Sequence, residues 1–173
     1  VGEIRVIKGP SHAGCAGVEF DVIGKGGHGS RPDLCINPLT ATANIVTALT
    51  TAWVNQLDVN ETVTFGLGSI NGGAASNVIP DKCNVKGTLR FFDDKAGKDA
   101  LEVLKEVTEA TAKAHKCEVE FSDYTRIVAY PTINDPDLAE EVIKSLNDIY
   151  PGAYRDGKPT FGSESFFGYS RLC

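Results

Sequence analysis

The chain has 173 residues, 42% of them hydrophobic and 23% charged, with 17 basic against 23 acidic side chains and a net charge of −6. That length and balance predict a globular chain with one main domain and a respectable core. The acidic balance argues against nucleic acid or an anionic membrane as the main partner, since both reward clustered Lys and Arg. No apolar run approaches the roughly 18 residues that a membrane-spanning helix needs.

The first alternating segment is Val18, Phe20 and Val22 against Glu19 and Asp21, the two-residue period of a half-buried strand. A glycine-rich loop follows from Gly24 to Pro32. Asn37-Pro38 then opens a helix, because Asn caps well and the missing N–H of Pro costs nothing at the first helical position. Leu39, Ile45, Val46, Leu49, Ala52 and Trp53 recur at three- and four-residue spacing along it. Val63, Phe65 and Leu67 predict a second strand, and Asn71-Gly72-Gly73 reads as a turn. Cys83, Val85, Leu89 and Phe91 predict a third strand. Leu101, Leu104, Val107 and Ala114 mark a second amphipathic helix from about Lys95 to Lys116, and Val119 with Phe121 a fourth strand.

The order β-α-β-β-α-β, with strands wet on one face, predicts an α+β fold: a ferredoxin-like sandwich over residues 16–129, its four-stranded antiparallel sheet covered by two helices on one face. Residues 1–15 and 130–173 fall outside it. Ile4 and Val6 suggest a short strand, and Leu138, Val142, Ile143 and Leu146 a helix after a Pro/Asn turn. Both ends read as pieces of another domain, of α/β type, into which the sandwich is inserted. Met is absent and Gly168 to Cys173 stops within a structured stretch, so a fragment of a longer protein is expected. Cys15, Cys35, Cys83, Cys117 and Cys173 form no C-x-x-C pair. An odd count so spread reads as reduced thiols, and a cytoplasmic location follows as an expectation.

Gly24-Lys25-Gly26-Gly27-His28-Gly29 satisfies G-x-G-x-x-G, yet nucleotide binding needs those glycines to run straight into a helix. Here Arg31-Pro32 intervenes, and no acid stands near 20 residues on until Asp58. The loop is therefore a glycine frame around a histidine. His28 has two readings, an exposed loop histidine or a donor at a site. His12 falls in a Ser/Gly turn and His115 at a helix end, so three dispersed histidines assemble no metal constellation. Asp93-Asp94 and Glu140-Glu141 read as solvated pairs, and no Gly-x-Ser-x-Gly elbow is present.

Four ordered motifs carry a resemblance. Gly24 to Pro32 followed by Asn37-Pro38 resembles the lid (dimerisation) domain of the aminoacylase, carboxypeptidase and hippurate hydrolase family. Ile70 to Asp81 resembles that family's glycine-rich turn ending in Asn-Val-Ile-Pro, and Gly87-Thr88-Leu89-Arg90 its strand ending in Arg. Gly162-Ser163-Glu164-Ser165-Phe166 resembles its Glu-Asp-Phe segment, with Ser165 where the family usually has Asp. The resemblance implies a homodimeric hydrolase of N-acyl amino acids or small peptides, with two zinc (or similar divalent) ions that activate water. It implies that His28 donates to the oxyanion in the other subunit's active site, that Asn77 and Arg90 hold the substrate carboxylate, and that Glu164 supports the site. The plain readings remain a turn residue for Asn77 and a solvated strand charge for Arg90. The family's metal-ligand motifs fall outside this sequence, so this chain is expected to bind no catalytic metal and to be inactive alone. A different class also fits the fold: a stand-alone, non-catalytic interaction or ligand-binding module.

Overall fold

The computed structural model describes residues 2–172; Val1 and Cys173, and with them the expected thiol state of Cys173, lie outside the described residues. In chain order the elements are β1 (Ile4–Val6), β2 (Gly9–His12), β3 (Gly14–Ile23), β4 (Gly27–His28), α1 (Pro38–Gln56), β5 (Val63–Gly72) and β6 (Val78–Ile79). They continue as β7 (Lys82–Phe91), α2 (Asp94–Ala114), β8 (Glu118–Phe121), β9 (Ile127–Ala129), β10 (Thr132–Asn134), α3 (Pro136–Ile149), β11 (Tyr154–Asp156) and α4 (Phe167–Ser170).

The main sheet runs β5-β7-β3-β8 with every neighbour antiparallel, and β9 adds to β3 on the β8 side. This is an α+β fold with two interleaved β-α-β units, and it has five strands where the pattern predicts four. The fifth, β9, is three residues long and pairs at a register shift beside Cys15 and Ala16, too short for alternation to reveal it. The expected turn at Asn71-Gly72-Gly73 is also corrected. β5 runs through Asn71 and Gly72, which pair with Asn84 and Cys83, and the chain turns only from Gly73, at φ +78°, through Asn77. A register shift between Leu67 and Ser69 moves the inward positions from odd to even numbers, so simple alternation loses the strand there.

The helices start where their caps dictate. The Asn37 side chain accepts from the Leu39 N–H at 2.9 Å with Pro38 at the first position, and Asp93 accepts from the Ala96 N–H at 2.9 Å. Both helices cover the same face of the sheet. Ala41, Ile45 and Leu49 of α1 and Ala100, Leu104 and Ala112 of α2 share one buried cluster with Val18, Phe20, Val22, Val85, Leu89 and Phe91. A glycine in the first turns of α2 has a packing reason. A Cβ on Gly97 would stand 2.5 Å from the Phe91 ring, so the helix can lie against that ring only without a side chain there.

The two ends of the chain fold on each other. β2 pairs antiparallel with β10, β1 pairs parallel with β11, and α3 lies against β1 and β11. His12 is therefore a strand residue opposite Thr132, not a residue of a Ser/Gly turn as its neighbours suggest.

Candidate functional site

His28 lies on β4, whose two residues pair with β6: Gly27 opposite Ile79 and His28 opposite Val78. Three other stretches clamp the glycine loop. Lys25 exchanges backbone hydrogen bonds with Ile36 at 2.8 and 2.9 Å, Gly24 N–H donates to the Asp81 carbonyl at 2.7 Å, and Gly29 N–H to the Asn77 carbonyl at 2.8 Å. The Gly26 N–H donates to the Asp81 carboxylate at 2.8 Å. A Cβ on Gly24 would stand 2.1 Å from the Ile36 carbonyl oxygen, one on Gly26 2.7 Å from that of Ile79, and one on Gly29 3.1 Å from that of Asn77. The glycines are there because backbones approach on both sides, which accounts for the G-x-G-x-x-G pattern without a nucleotide. It also explains why the Gly-rich loop and the Asn77-to-Asp81 stretch belong together.

The His28 ring is exposed. Its Nδ1 lies 3.1 Å from the Ser30 backbone N–H, which can only donate, and 2.8 Å from Ser30 Oγ. Nδ1 is thus held as an acceptor, and the neutral ring carries its proton on Nε2. A neutral imidazole with a free Nε2–H is a hydrogen-bond donor that needs no change of charge to act. Ser30 and Asp81 are the residues that motif reading passes over. The signal for Ser30 is its place two residues after His28, within reach of the ring.

Asn77 is exposed beside this loop and tied to it through its carbonyl. Next to them Leu39 and the Gly72-to-Ser76 turn border an open depression of about 460 Å³. His28 and Asn77, singled out separately in the sequence, therefore form one patch.

Arg90 and Glu164 form another, at the opposite end of the sheet. Arg90 stands opposite Cys15 on β3, whereas the His28 loop leaves β3 beyond Ile23, opposite Lys82. Arg90 lies eight residue steps along β7 from Lys82, about 26 Å at strand rise. Arg90 donates to Ser163 Oγ at 2.8 Å, and Ser163 Oγ donates to the Ala13 carbonyl at 2.8 Å, so the guanidinium ties the sheet to the returning end of the chain. One of its N–H groups is used in this way. Glu164 accepts from Thr132 Oγ1 and from the Phe166 N–H at 2.5 Å. These hydrogen bonds, Thr132 foremost, with the nearby His12, hold its carboxyl below the usual carboxylate range, so Glu164 is ionised through neutral pH. Within one chain the four residues are thus two pairs.

Among the described residues no three His, Cys, Asp or Glu side chains gather where they could hold a metal ion. No described helix is long and apolar enough to cross a membrane.

Known proteins share this architecture. The family described as Peptidase dimerisation domain matches residues 11–116, more than half of the chain. An N-acetyldiaminopimelate deacetylase from Leuconostoc mesenteroides is 31% identical over 169 residues, which cover 97% of this chain and 43% of that protein. Thermostable carboxypeptidase 2 from Saccharolobus solfataricus is 30% identical over 162 residues, 92% of this chain and 40% of that one. In fold, the chain superposes on a crystal structure of a Bacillus subtilis dinuclear metal binding peptidase of the M20 family. The TM-score is 0.78 at 22% identity, over 99% of this chain and 42% of the other. The chain spans less than half the length of these relatives. With its helix-covered sheet and the histidine loop at one end, the chain belongs to the peptidase dimerisation domain family of the M20 amidohydrolases and peptidases.

Proposed function

We propose that this chain supplies the dimerisation part, and adjoining catalytic-domain segments, of a metal-dependent amidohydrolase or peptidase that cleaves the amide bond of an N-acyl amino acid or small peptide. Residues 16–129 are the dimerisation domain, and residues 1–15 and 130–173 belong to the catalytic domain. The two metal ions, zinc or a similar divalent cation, are held by residues outside this chain, which is inactive alone. Four free described cysteines, three of them buried, agree with a reducing cytoplasm.

The observation that carries the reading is the separation of the two patches. His28 and Asn77 stand at one end of the sheet and Arg90 and Glu164 at the other, about 26 Å apart along β7. One chain cannot bring all four to one substrate, but a homodimer can. Across a two-fold axis, His28 and Asn77 of one protomer reach the active centre that contains Arg90 and Glu164 of its partner. There the Nε2–H of His28 donates to the oxyanion of the tetrahedral intermediate. The Arg90 fork and the Asn77 amide hold the substrate carboxylate, and Glu164 stays ionised in support.

The test uses mixed dimers of the full-length enzyme. His28→Ala lowers kcat by about 10²–10³ with the dimer and its metal content intact, and Arg90→Ala weakens kcat/KM separately. When the two variants are mixed, a dimer with one copy of each has one site with both native residues. Random mixing therefore restores roughly a quarter of wild-type turnover if the site is shared across the two-fold. Mixed dimers as inactive as the parents would place His28 and Arg90 in the same chain's site, and the reading would fail.

A further inference from the structure

The ladder that joins β3 to β7, the two central strands, does not stop where the main sheet ends, at Ile23 opposite Lys82. Gly24 still donates to the Asp81 carbonyl at 2.7 Å. After an interruption the pairing resumes as β4 and β6, with Gly27 opposite Ile79 and His28 opposite Val78. The Gly29 N–H on the Asn77 carbonyl closes it. His28 and Asn77 thus stand at the tip of a two-stranded arm that continues the middle of the sheet.

The interruption is a β-bulge. Four steps lead from Ile23 to Gly27 but only three from Lys82 to Ile79, so one extra residue stands on the histidine strand. Lys25 turns aside and spends its N–H and carbonyl on Ile36, at 2.8 and 2.9 Å. Pro80, on the other strand, has no N–H to offer. The Gly26 N–H is the group that the ladder leaves over, and the Asp81 carboxylate accepts from it at 2.8 Å. The fit is close, because a Cβ on Gly26 would stand 3.0 Å from that oxygen as well as 2.7 Å from the Ile79 carbonyl oxygen. Among the described residues Asp81 forms no ion pair, so no cation draws its carboxylate elsewhere.

We propose that Asp81 is a positioning residue for the hydrolysis: its carboxylate, by holding the Gly26 N–H, fixes the bulge and with it the direction in which the arm presents His28. A bulge bends and twists the strand that contains it, so a change at the base of the arm is carried to its tip. Two paired residues per strand are too few to keep that direction by themselves. The charge-assisted bond at Gly26 supplies what the short ladder lacks. The inference rests on the proposed role of His28 and adds how that donor is held to the tolerance that donation to an oxyanion demands.

In the full-length enzyme Asp81→Ala should lower kcat by about 10–100-fold, as expected for a donor displaced by on the order of 1 Å. Asp81→Asn keeps an oxygen acceptor without the charge and should stay within about threefold of wild type. The loss must run through His28. In a His28→Ala background, where the donor is already gone, Asp81→Ala should cost less than about a further twofold. The 173-residue chain reads the same hold without activity. There Asp81→Ala should move the Gly26 amide and His28 ring signals in NMR spectra, Asp81→Asn should move them less, and the His12 and His115 rings should stay still.

Wild-type kcat in Asp81→Ala overturns the proposal. So does an equal loss in the His28→Ala background, which would make Asp81 a support of the fold at large. Rescue by Asp81→Glu but not by Asp81→Asn also overturns it, since the charge and not the bond at Gly26 would then act. That last comparison stands even if the alanine variant does not fold. The two readings fail separately. Wild-type kcat in His28→Ala, with a shifted His28 ring in Asp81→Ala, removes the hydrolytic purpose of the arm and leaves the hold of Asp81 on it. An enzyme that depends on His28, with Gly26 and His28 signals unmoved in Asp81→Ala, removes the positioning role alone.

Discussion

The sandwich and the paired chain ends are built from the same kinds of element yet differ in how they treat apolar surface. In the sandwich, Phe20, Val22, Ile45, Leu89 and Leu104 are at most 1% exposed, because two helices cover one face of the sheet. In the paired ends, α3 buries Ala139 and Ile143 but leaves Leu138 61% exposed, and Ile133, Phe166 and Tyr169 lie open beside it. The sandwich is closed on its own elements, as a unit that folds by its own core must be. Two-stranded ladders with one helix cannot close in that way. The open side carries Leu138, Val142, Ile133 and Phe166 along a groove of about 700 Å³. That contrast agrees with the proposed division into a complete dimerisation domain and part of a catalytic one.

The contrast is sharpest when one substitution is made in both regions. Leu104→Ala, at 0% exposure on the inner face of α2, should destabilise the chain by about 2–5 kcal/mol, from lost burial plus the cavity left behind. Urea unfolding monitored by circular dichroism measures it. A loss below about 1 kcal/mol would mean that the core collapses around the gap and that the sandwich is not the rigid part of the molecule.

A smaller effect belongs to the open face of the sheet, where the strands are joined by charge rather than by packing. Lys82 donates to Asp21 at 2.8 Å and Asn84 donates to the other oxygen at 2.8 Å. Lys82 first, then Asn84, holds the Asp21 carboxyl below its ordinary value. A folded-state pKa below the unfolded one gives stability that is fully present above about pH 4 and is lost as pH falls through the folded value. Lys82→Gln should therefore lower the melting temperature at pH 7, and the difference from wild type should close in acid. A difference that persists unchanged at pH 2 would show that Lys82 stabilises through its aliphatic stem and not through Asp21.

How far the sequence discloses this molecule follows the same division. The sandwich was legible because its signals are local and periodic. Asn37-Pro38 caps α1 as read, and the alternation of Val18, Phe20 and Val22 marks inward positions that are all buried. The bulge at Leu67 to Ser69 and the three-residue β9 escaped because each breaks or underfills the two-residue period. His28 and Asn77 could be picked out of their motifs, but nothing in the spacing of residues 28 and 77 says that Gly29 and Asn77 share a hydrogen bond. That contact depends on β6 folding back on β4. His12 was passed over for a related reason. Its neighbours in sequence are turn formers, and its neighbours in space, Thr132 and Glu164, lie more than a hundred residues away.

The smallest effect in the isolated chain is also the one that bears most on the division of the molecule. Leu138→Ala on α3 removes a side chain that is 61% exposed, so in the 173-residue chain it should change stability by no more than about 0.5 kcal/mol. The same substitution in the full-length protein is a different experiment. If the rest of a catalytic domain packs on α3, Leu138 becomes a core residue there, and its loss should rise to about 2–5 kcal/mol. Parallel denaturant titrations of the two proteins, each with and without the substitution, read the difference directly. A cost that stays small in both would leave α3 as a true outer surface, and the paired ends would then be a complete appendage to the sandwich instead of part of a larger domain. A cost that appears only in the longer protein would locate the domain boundary on α3 by energetics alone, without any assay of activity.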